Sequence, residues 1–291
     1  MSLFPAATEI VCGLGLAEQL VAVSHACHWP PSIGRLPRVT RCSVDESAGS
    51  AAIDDQVRSL LGAGEALYEI DRELVNELRP ELIITQSQCD VCAVSLPAVE
   101  RLVADMPALS QAQVLALNPR GIVDLLTDVQ RIADAAAAGS AGKAYAGSLR
   151  RRISAVRAVA AEGRTSPPPR VAVIEWIDPL MIAGNWTPEL VALAGGEYGL
   201  AIAGAASPYV HWAQIAHFGP ELLVIAPCGF DEARSLREAQ HLHALPGWTE
   251  LPAVVSGRVK IVDGDAYFNC PGPRLVDTLE LLQEWIRDVR V

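Results

Sequence analysis

Four short apolar runs predict buried strands, at residues 20–23, 82–85, 171–174 and 222–226. Each run is bounded by polar or turn-forming residues and is rich in Leu, Ile and Val, as in strands covered on both faces. Such strands occur mainly in parallel sheets flanked by helices. The pattern therefore favours the α/β class.

Two sequence echoes indicate that the chain consists of two related lobes. Residues 80–84 (Pro-Glu-Leu-Ile-Ile) are nearly repeated at residues 220–224 (Pro-Glu-Leu-Leu-Val). Helix-start signals come earlier in each half: Thr8 can cap one helix, and Thr187 followed by Pro188 can begin another. Because these signals occur in the same order in both halves, we expect two Rossmann-like lobes.

Helical spacing dominates the middle of the chain. Residues 122–133 have apolar positions at helical intervals, Gly139–Ser140 interrupts them, and a second helix is predicted over about residues 141–161. A helix of about 21 residues spans about 30 Å and can join two lobes. Residues 163–169 include three consecutive prolines and form a stiff linker. The expected domains are 1–118 (N-terminal α/β lobe), 119–169 (helical connection with the long backbone helix and linker) and 170–291 (C-terminal α/β lobe).

Composition excludes several classes of protein and partner. The 291 residues are 51% hydrophobic and 20% charged, so the chain can bury a core and is not disordered. The formal net charge is −11 and no dense basic run is present, which argues against nucleic acid and anionic membrane surfaces as partners. Acidic residues and prolines interrupt the apolar runs well before the 18 or so residues of a membrane span, so we expect no membrane insertion.

The N-terminal residues and the cysteines bear on localisation. No Lys or Arg precedes Arg35, so the charged start of a signal peptide is missing and a cytoplasmic location is expected. A start further upstream would instead allow a periplasmic location. Seven cysteines, an odd number in a long chain, fit free thiols in a reducing compartment.

Aromatic residues are few, yet many of them lie at predicted strand or helix ends. Aromatics make up only 5% of the chain, so their placement is informative. Each can bury about 150–250 Å² against a large flat ligand at little entropic cost; packing within or between lobes is the alternative. His211, next to Trp212, lies in the same kind of loop. The aromatic candidates are Trp29, Trp176, Trp186, Tyr209, Trp212, Trp248, Tyr267 and Phe268.

Two loops carry thiols and imidazoles at spacings that suit a soft metal. Cys89 and Cys92 form a C-x-x-C motif after the strand at 82–85, and His25, Cys27 and His28 form an H-x-C-H motif after the run at 20–23. These five side chains could approach one another, and His25, Cys27, Cys89 and Cys92 are the candidate zinc ligands, although paired motifs at defined spacing would be the stronger signal. A redox pair and simple packing of small apolar thiols are the alternatives.

Enzyme signatures are missing from the sequence. It contains no G-x-G-x-x-G after a strand, no P-loop, no G-x-S-x-G and no H-E-x-x-H. We therefore expect a binding protein and no catalytic residues.

Several motifs together resemble the cobalamin-binding branch of the class III substrate-binding proteins. They are residues 3–10 (LFPAATEI), 13–15 (GLG), 25–31 (HACHWPP), 79–82 (RPEL), 227–230 (PCGF) and 267–274 (YFNCPGPR). The resemblance implies two Rossmann-like lobes joined by a rigid backbone helix, a corrinoid such as cobalamin held in the cleft between them, and no catalysis. In exported relatives it also implies delivery to an ABC permease.

The resemblance also implies ring-contacting positions, some of which coincide with the aromatic candidates. Its further positions are Arg41, Cys42 and Gln86 to Cys92. Cys228 and Phe230, in the motif at 227–230, are additional candidate ligand contacts. By the same resemblance, Glu73 is at the docking position of the first lobe, with a solvated charge on a helix face as the alternative, but the matching position in the second lobe is Ala213. We therefore predict that the chain does not dock productively on a conventional cobalamin permease. Two alternatives stay open: a binding protein for haem or a ferric siderophore, and a Cys-dependent metal-binding protein or enzyme.

Overall fold

A computed structural model describes residues 1–88, 91, 93–163 and 166–290. The helices are α1 (Pro5–Gly13), α2 (Ser50–Gly62), α3 (Arg72–Leu78), α4 (Leu96–Asp105), α5 (Ile122–Ala135), α6 (Gly139–Glu162), α7 (Thr187–Ala194), α8 (Trp212–Phe218), α9 (Glu232–Glu238), α10 (Pro252–Val255), α11 (Gly264–Tyr267) and α12 (Leu275–Val289). The strands are β1 (Thr40–Cys42), β2 (Tyr68–Ile70), β3 (Leu82–Gln86), β4 (Gln113–Leu117), β5 (Val171–Trp176), β6 (Met181–Ile182), β7 (Leu222–Ile225) and β8 (Val259–Ile261). Short 3-10 helices lie at Ala17–Gln19, Pro31–Arg35, Pro107–Leu109, Ala239–Ala244 and Trp248–Glu250.

The chain divides into two compact units, and both have α/β structure. Unit 1 contains Met1–Ser47, Asp55–Pro119 and Val123–Ser148; unit 2 contains Ala48–Asp54, Arg120–Ile122 and Leu149–Val291. The long helix α6 therefore contributes its first ten residues, up to Ser148, to unit 1 and the remainder to unit 2.

Unit 1 is built on parallel strand pairing. Strands β3 and β4 are parallel, with Leu82 opposite Gln113, so the strand predicted at 82–85 is confirmed. The extended segments at Ser2, Val23 and Arg38 add single parallel bridges beside β3. The strand predicted at residues 20–23 is thus wrong in extent, because only Val23 pairs and Leu20 ends a 3-10 turn.

A short antiparallel pair stands apart from these parallel strands in unit 1. Strand β1 pairs with β2 so that Thr40 lies opposite Ile70 and Cys42 lies opposite Tyr68. These two strands are only three residues each and are separated by helix α2. No periodic pattern of that length predicts them.

Unit 2 has a four-stranded sheet with the order β6-β5-β7-β8. Strands β5, β7 and β8 are parallel, and β6 is antiparallel to β5. The strands predicted at 171–174 and 222–226 are confirmed as β5 and β7. All four residues of β7 are buried, which explains their uninterrupted apolar sequence.

Two predicted helix caps are wrong in detail, although both helices exist. Helix α1 begins at Pro5 with Phe4 at the N-cap, so Thr8 lies inside the helix and its hydroxyl oxygen lies 2.8 Å from Ser2 Oγ. Helix α7 begins at Thr187 itself, with Trp186 at the N-cap. Proline occupies the first turn in both cases, where its missing N–H costs nothing.

The predicted pair of central helices is confirmed as α5 and α6. The break between them falls at residues 136–138, where Ala137 has a φ of 54°, and α6 starts at Gly139. Within unit 2, Arg152 of α6 donates hydrogen bonds to Asp277 and Glu280 of α12 at 2.5–2.8 Å. These bonds raise the pKa of the Arg152 guanidinium. Among the described residues, no helix is both long and apolar enough to cross a membrane.

Candidate functional site

In unit 1, the polar candidates lie near the carboxyl ends of the paired segments. His25 follows Val23, and Gln86 is the last residue of β3. Ligands of open α/β sheets bind outside the carboxyl ends of strands, so this edge is where a site is expected. Gln86 is buried, and its side-chain oxygen accepts a hydrogen bond from the Gln88 amide at 2.6 Å. It holds the start of the loop that follows β3.

The imidazole of His25 is fixed by two neighbours. Its Nδ1 lies 2.7 Å from Thr40 Oγ1, and its backbone amide donates to the same oxygen at 2.9 Å. The ring of Tyr68 lies beside it, with ring centroids 5.4 Å apart. Burial lowers the pKa of His25, while the carboxylate of Glu46 opposes that change, so the ring is held towards its neutral form.

The ligating atoms of His25, Cys42 and Glu46 come close together. All three lie within 4.8 Å of one another, and His25 Nε2 is 3.9 Å from a Glu46 carboxylate oxygen. Burial raises the pKa of the Cys42 thiol, and the nearby Glu46 carboxylate adds to this effect. Cys42 was expected from the family resemblance as a ligand contact, and here it lies next to an imidazole and a carboxylate.

Cys27, which was predicted to share a metal site with His25, lies elsewhere in the core of unit 1. It is 0% exposed, and its sulfur accepts a hydrogen bond from the Thr8 hydroxyl at 3.1 Å. Burial raises the pKa of its thiol despite this hydrogen bond. Arg38 donates to the carbonyl oxygen of Cys27. Packing is therefore a sufficient explanation for this cysteine.

The remaining candidates of unit 1 differ in exposure. Trp29 is 48% exposed, and Arg41 is exposed on β1. Cys89 and Cys92 lie outside the described residues. Between them, the carbonyl oxygen of Val91 accepts a hydrogen bond from the Tyr68 hydroxyl at 2.6 Å.

In unit 2, a cluster of aromatic and basic side chains lies at the carboxyl ends of β5 and β7. Trp176 ends β5, and its ring packs against that of Phe230 with centroids 5.2 Å apart. The guanidinium of Arg234 lies 3.6 Å from the centre of the Phe230 ring. Phe230 is buried, whereas Trp176 is half-buried. Trp176 is therefore the member of this cluster that can present a ring face to a ligand.

The loop after β7 is held by hydrogen bonds and close packing. The Cys228 amide donates to the carbonyl oxygen of Glu175 at 3.0 Å, and the Gly229 amide donates to Asp265 Oδ1 at 2.9 Å. Gly264 lies so close that a Cβ there would be 2.1 Å from the carbonyl oxygen of Pro227. Only glycine fits this contact, which fixes the loop that carries half-buried Cys228.

A second aromatic group of unit 2 surrounds the start of α8. Trp212 stacks on Trp248 with ring centroids 5.9 Å apart, and its indole N–H donates to the carbonyl oxygen of Pro246 at 2.7 Å. His211 is exposed at the N-cap of this helix, and its amide donates to Gln214 at 2.8 Å. Tyr209 is 61% exposed. Tyr209 and His211 are thus accessible, and Trp212 is partly so.

Trp186 and Phe268 are internal to unit 2. Trp186 is 6% exposed and its indole N–H donates to the carbonyl oxygen of Phe268 at 2.7 Å. Phe268 is itself buried, while the neighbouring Tyr267 is half-buried. Their burial is explained without a ligand, so their assignment as ligand contacts stays a prediction.

Unit 1 also has a concave region of about 510 Å³. It is lined by residues around the first two 3-10 helices, including Leu20, Ile33 and Leu36. None of its lining residues is among the candidate ligand contacts.

Comparison with known proteins identifies the relatives of this fold. The family described as "Periplasmic binding protein" matches residues 1–266, which is most of the chain. The chain belongs to the periplasmic binding protein family. Members of this family are substrate-binding proteins, in agreement with the predicted α/β fold of the class III, two-lobe type. No curated protein shows significant sequence similarity to the chain.

Solved structures of periplasmic binding proteins have the same fold over nearly the whole chain. The periplasmic haem-binding protein RhuT from Roseiflexus sp. RS-1 is 21% identical, covers 100% of this chain and 98% of its own, and has a TM-score of 0.74. The periplasmic vitamin B12-binding protein BtuF of Vibrio cholerae is 21% identical, covers 99% and 96%, and has a TM-score of 0.69. A periplasmic haem-binding protein from Pseudomonas aeruginosa is 20% identical, covers 97% and 90%, and has a TM-score of 0.72.

Sequence analysis missed several residues that shape these candidate sites. Thr40 and Tyr68 lie beside His25 on the paired strands β1 and β2, and Glu46 follows β1 in the chain. Arg234 covers Phe230 because α9 follows the loop after β7. For the residues beside His25, the only sequence signal is the polar alternation in Thr40–Cys42, and three residues are too few to predict a strand. For Arg234, an N-cap Asp231 marks the start of α9 and places the arginine in its first turn.

Proposed function

We propose that this periplasmic binding protein family member captures and releases a large, flat metal chelate, and that the chelate is cobalamin or a related corrinoid. The carrying observation is the set of aromatic rings at the carboxyl ends of the unit 2 strands, above all Trp176. Such rings supply apolar area at low entropic cost. The family supports binding without catalysis, and the motifs at residues 3–10 and 227–230 support the corrinoid.

Each unit offers contacts of a different character to such a ligand. Unit 2 offers Trp176, Tyr209 and Trp212 for contact with the ring. Unit 1 offers Trp29 together with polar groups, among them Arg41. A corrinoid has both an apolar ring face and a rim of polar amides, so this mixture suits it. The placement of the ligand between two lobes stays a prediction from the sequence.

Haem is the second candidate ligand. Four solved structures with this fold are of proteins named as haem-binding, one of them with two haems bound. Haem is also flat and apolar, and the same tryptophans would serve it. Haem carries acidic propionates, so it would require cationic partners. Arg41 is an exposed cation of unit 1 that can serve as such a partner. A ferric siderophore is a third ligand of the same general size.

Titration of the purified protein with cobalamin, cobinamide, haem and a ferric siderophore tests the proposal. We expect a corrinoid to bind with micromolar or tighter affinity, which corresponds to about 8 kcal/mol or more. Calorimetry measures the affinity, and visible absorbance reports the environment of the chelate. Binding of haem or the siderophore without any corrinoid binding would reassign the ligand and leave the binding function intact.

Location and delivery partner are further parts of the proposal. The family name refers to the periplasm, whereas the unmatched docking charge at Ala213 leads us to propose a chain that stores, buffers or presents its ligand inside the cell. Glu73 is exposed on α3, and Ala213 on α8 provides no matching charge. Uptake of the ligand into vesicles that carry a cobalamin permease, dependent on this protein and lost in Glu73→Ala, would contradict the cytoplasmic role.

A further inference from the structure

We propose that His25, Cys42 and Glu46 of unit 1 bind a thiophilic divalent cation of the zinc class. The three side chains present one nitrogen, one sulfur and one carboxylate oxygen, the donor set that Zn²⁺ favours in proteins. This site does not depend on the chelate proposed above. It also differs from the zinc site expected from the sequence, because Cys42 and Glu46 take the place of the buried Cys27.

The distances between the ligating atoms are close to those found in a site with a bound cation. The ligating atoms lie within 4.8 Å of one another, and the imidazole nitrogen and carboxylate oxygen are 3.9 Å apart. In a tetrahedral zinc site with bonds of about 2.0–2.3 Å, neighbouring ligand atoms lie about 3.3–3.8 Å apart. Each distance between two of the ligating atoms therefore has to shorten by less than about 1.5 Å when the cation binds. Glu46 can supply much of this movement, because its side chain is 65% exposed.

The imidazole is already oriented for metal binding. His25 Nδ1 lies 2.7 Å from Thr40 Oγ1, and the tautomer that donates this hydrogen bond leaves the lone pair on Nε2. It is Nε2 that lies towards Glu46. Metal-ligating histidines commonly donate their other ring N–H to an oxygen in this way, which fixes the ring. Thr40 is therefore a positioning residue for the proposed site.

The backbone holds the thiol in place. Cys42 ends β1 and is paired in register with Tyr68 of β2, whose ring lies against His25. When the cation binds, the sulfur–metal bond forms as the S–H bond of Cys42 breaks, and the proton passes to solvent. The three protein ligands leave one coordination position for water or another ligand. A site of this kind is open, not a closed structural zinc centre.

The alternative to a metal site is a weak electrostatic interaction between His25 and Glu46, with the Cys42 thiol packed beside them. The two interpretations differ in whether the Cys42 sulfur bonds to a cation. Co²⁺ distinguishes them, since a thiolate bound to tetrahedral Co²⁺ gives a charge-transfer band in the near ultraviolet and strong visible d–d bands. The experiment uses the full chain without chelate, so the outcome is separate from corrinoid or haem binding.

The titration with Co²⁺, followed by competition with Zn²⁺, is made in the Cys89→Ser/Cys92→Ser variant, so that the C-x-x-C motif cannot supply the thiolate. We expect one Co²⁺ per chain, a thiolate band that disappears in Cys42→Ser, and at least tenfold weaker binding in His25→Gln and Glu46→Gln. Thr40→Val should weaken binding by about 10–100-fold, as loss of such an outer contact commonly does. Circular dichroism of each variant verifies that it is folded.

Matched controls use residues of the same types outside the site. Cys228→Ser removes a half-buried thiol of unit 2, and His28→Gln removes an exposed imidazole three residues from His25. Both should leave the band and the affinity unchanged. A band that survives Cys42→Ser, or that is absent from the Cys89→Ser/Cys92→Ser background, would overturn the proposal. So would a loss of affinity in His28→Gln equal to that in His25→Gln.

Discussion

The ring of Trp176 packs against the ring of Phe230 at an interplanar angle of 55°, with the centroids 5.2 Å apart. Arg234 covers Phe230 at 3.6 Å, so the buried phenylalanine has neighbours from two elements. Phe230 thereby positions Trp176. We expect Trp176 to contact the ligand and Phe230 to stabilise the core. Stability and ligand binding should respond separately to their replacement.

We predict that Trp176→Ala weakens chelate binding by about tenfold or more, equivalent to about 1.4 kcal/mol, because a ring face is lost. Calorimetric titration measures the change. Trp285→Ala is the matched control, since Trp285 lies on α12 near Lys260 and is not a candidate contact. Equal losses of affinity in both variants would contradict a role for Trp176 at the ligand.

Phe230→Ala should act chiefly on stability. Removing a buried phenylalanine costs about 3–5 kcal/mol of unfolding free energy, because packing is lost and a cavity remains. Denaturant unfolding measures this cost. If Phe230→Ala were as stable as the unmodified protein, the side chain would not be the core residue that its 1% exposure indicates.

A hydrogen bond and burial make separate contributions at Trp186. Its indole N–H donates to the carbonyl oxygen of Phe268 at 2.7 Å, deep in unit 2. Trp186→Phe retains much of the ring and leaves that carbonyl without its donor, which should cost about 1–3 kcal/mol. Trp186→Ala should cost about 3–5 kcal/mol. Urea unfolding of the pair tests this order, and a smaller loss for Trp186→Ala than for Trp186→Phe would contradict it.

The strands and central helices could be predicted because long or uniform patterns specify them. Strand β7 is buried throughout, and α5 carries its apolar positions over four turns. Residues 20–23 show the limit of this reasoning. Their apolar character reflects burial of Leu20, Ala22 and Val23 in the core, yet only Val23 makes strand pairing. Burial can be predicted from hydrophobicity, whereas pairing depends on the neighbouring segments.

The candidate sites were less predictable because contacts between distant residues create them. His25 and Cys27 are two residues apart, and spacing alone suggests that they act together. In the structure, Cys27 turns into the core towards Thr8, while His25 meets Thr40 and Cys42. The register of β1 against β2 decides this arrangement, and a three-residue strand carries no periodic signal. Cys89 and Cys92 lie outside the described residues, so the role of the C-x-x-C motif stays a prediction.

The cysteines should differ in their rates of alkylation. Burial raises the pKa of Cys27, whose side chain is 0% exposed, so it should be labelled last. Cys12 is half-buried and burial also raises its pKa, so it should react slowly. From the sequence we expect Cys89 or Cys92 to react first. Mass spectrometry of the native protein after timed alkylation gives the order, and labelling of Cys27 before Cys12 would contradict the buried position.

Asp128 is a buried carboxylate on α5. It is 4% exposed; its Oδ1 accepts a hydrogen bond from Arg131 at 2.8 Å, and its Oδ2 has no hydrogen-bond partner. Burial raises the pKa of Asp128, while the hydrogen bond and charge of Arg131 oppose that change without cancelling it. The charged form of this side chain is therefore less favourable in the folded protein than in the unfolded chain.

The free energy of unfolding depends on pH because the pKa of Asp128 differs between the folded and unfolded states. A raised pKa means that the folded state holds the proton more tightly, so this group's contribution to stability falls as pH rises from the ordinary aspartate pKa through the raised value. Above the raised pKa the unfavourable contribution is complete. Asp128→Asn removes the charge and retains an oxygen for Arg131, so we predict a higher midpoint of urea unfolding at pH 7 and little difference at pH 3. Asp105→Asn, in an exposed pair with Arg72, is the control and should change the midpoint little. A lower midpoint for Asp128→Asn at pH 7 would show that the Arg131 pair outweighs the cost of burying the carboxylate.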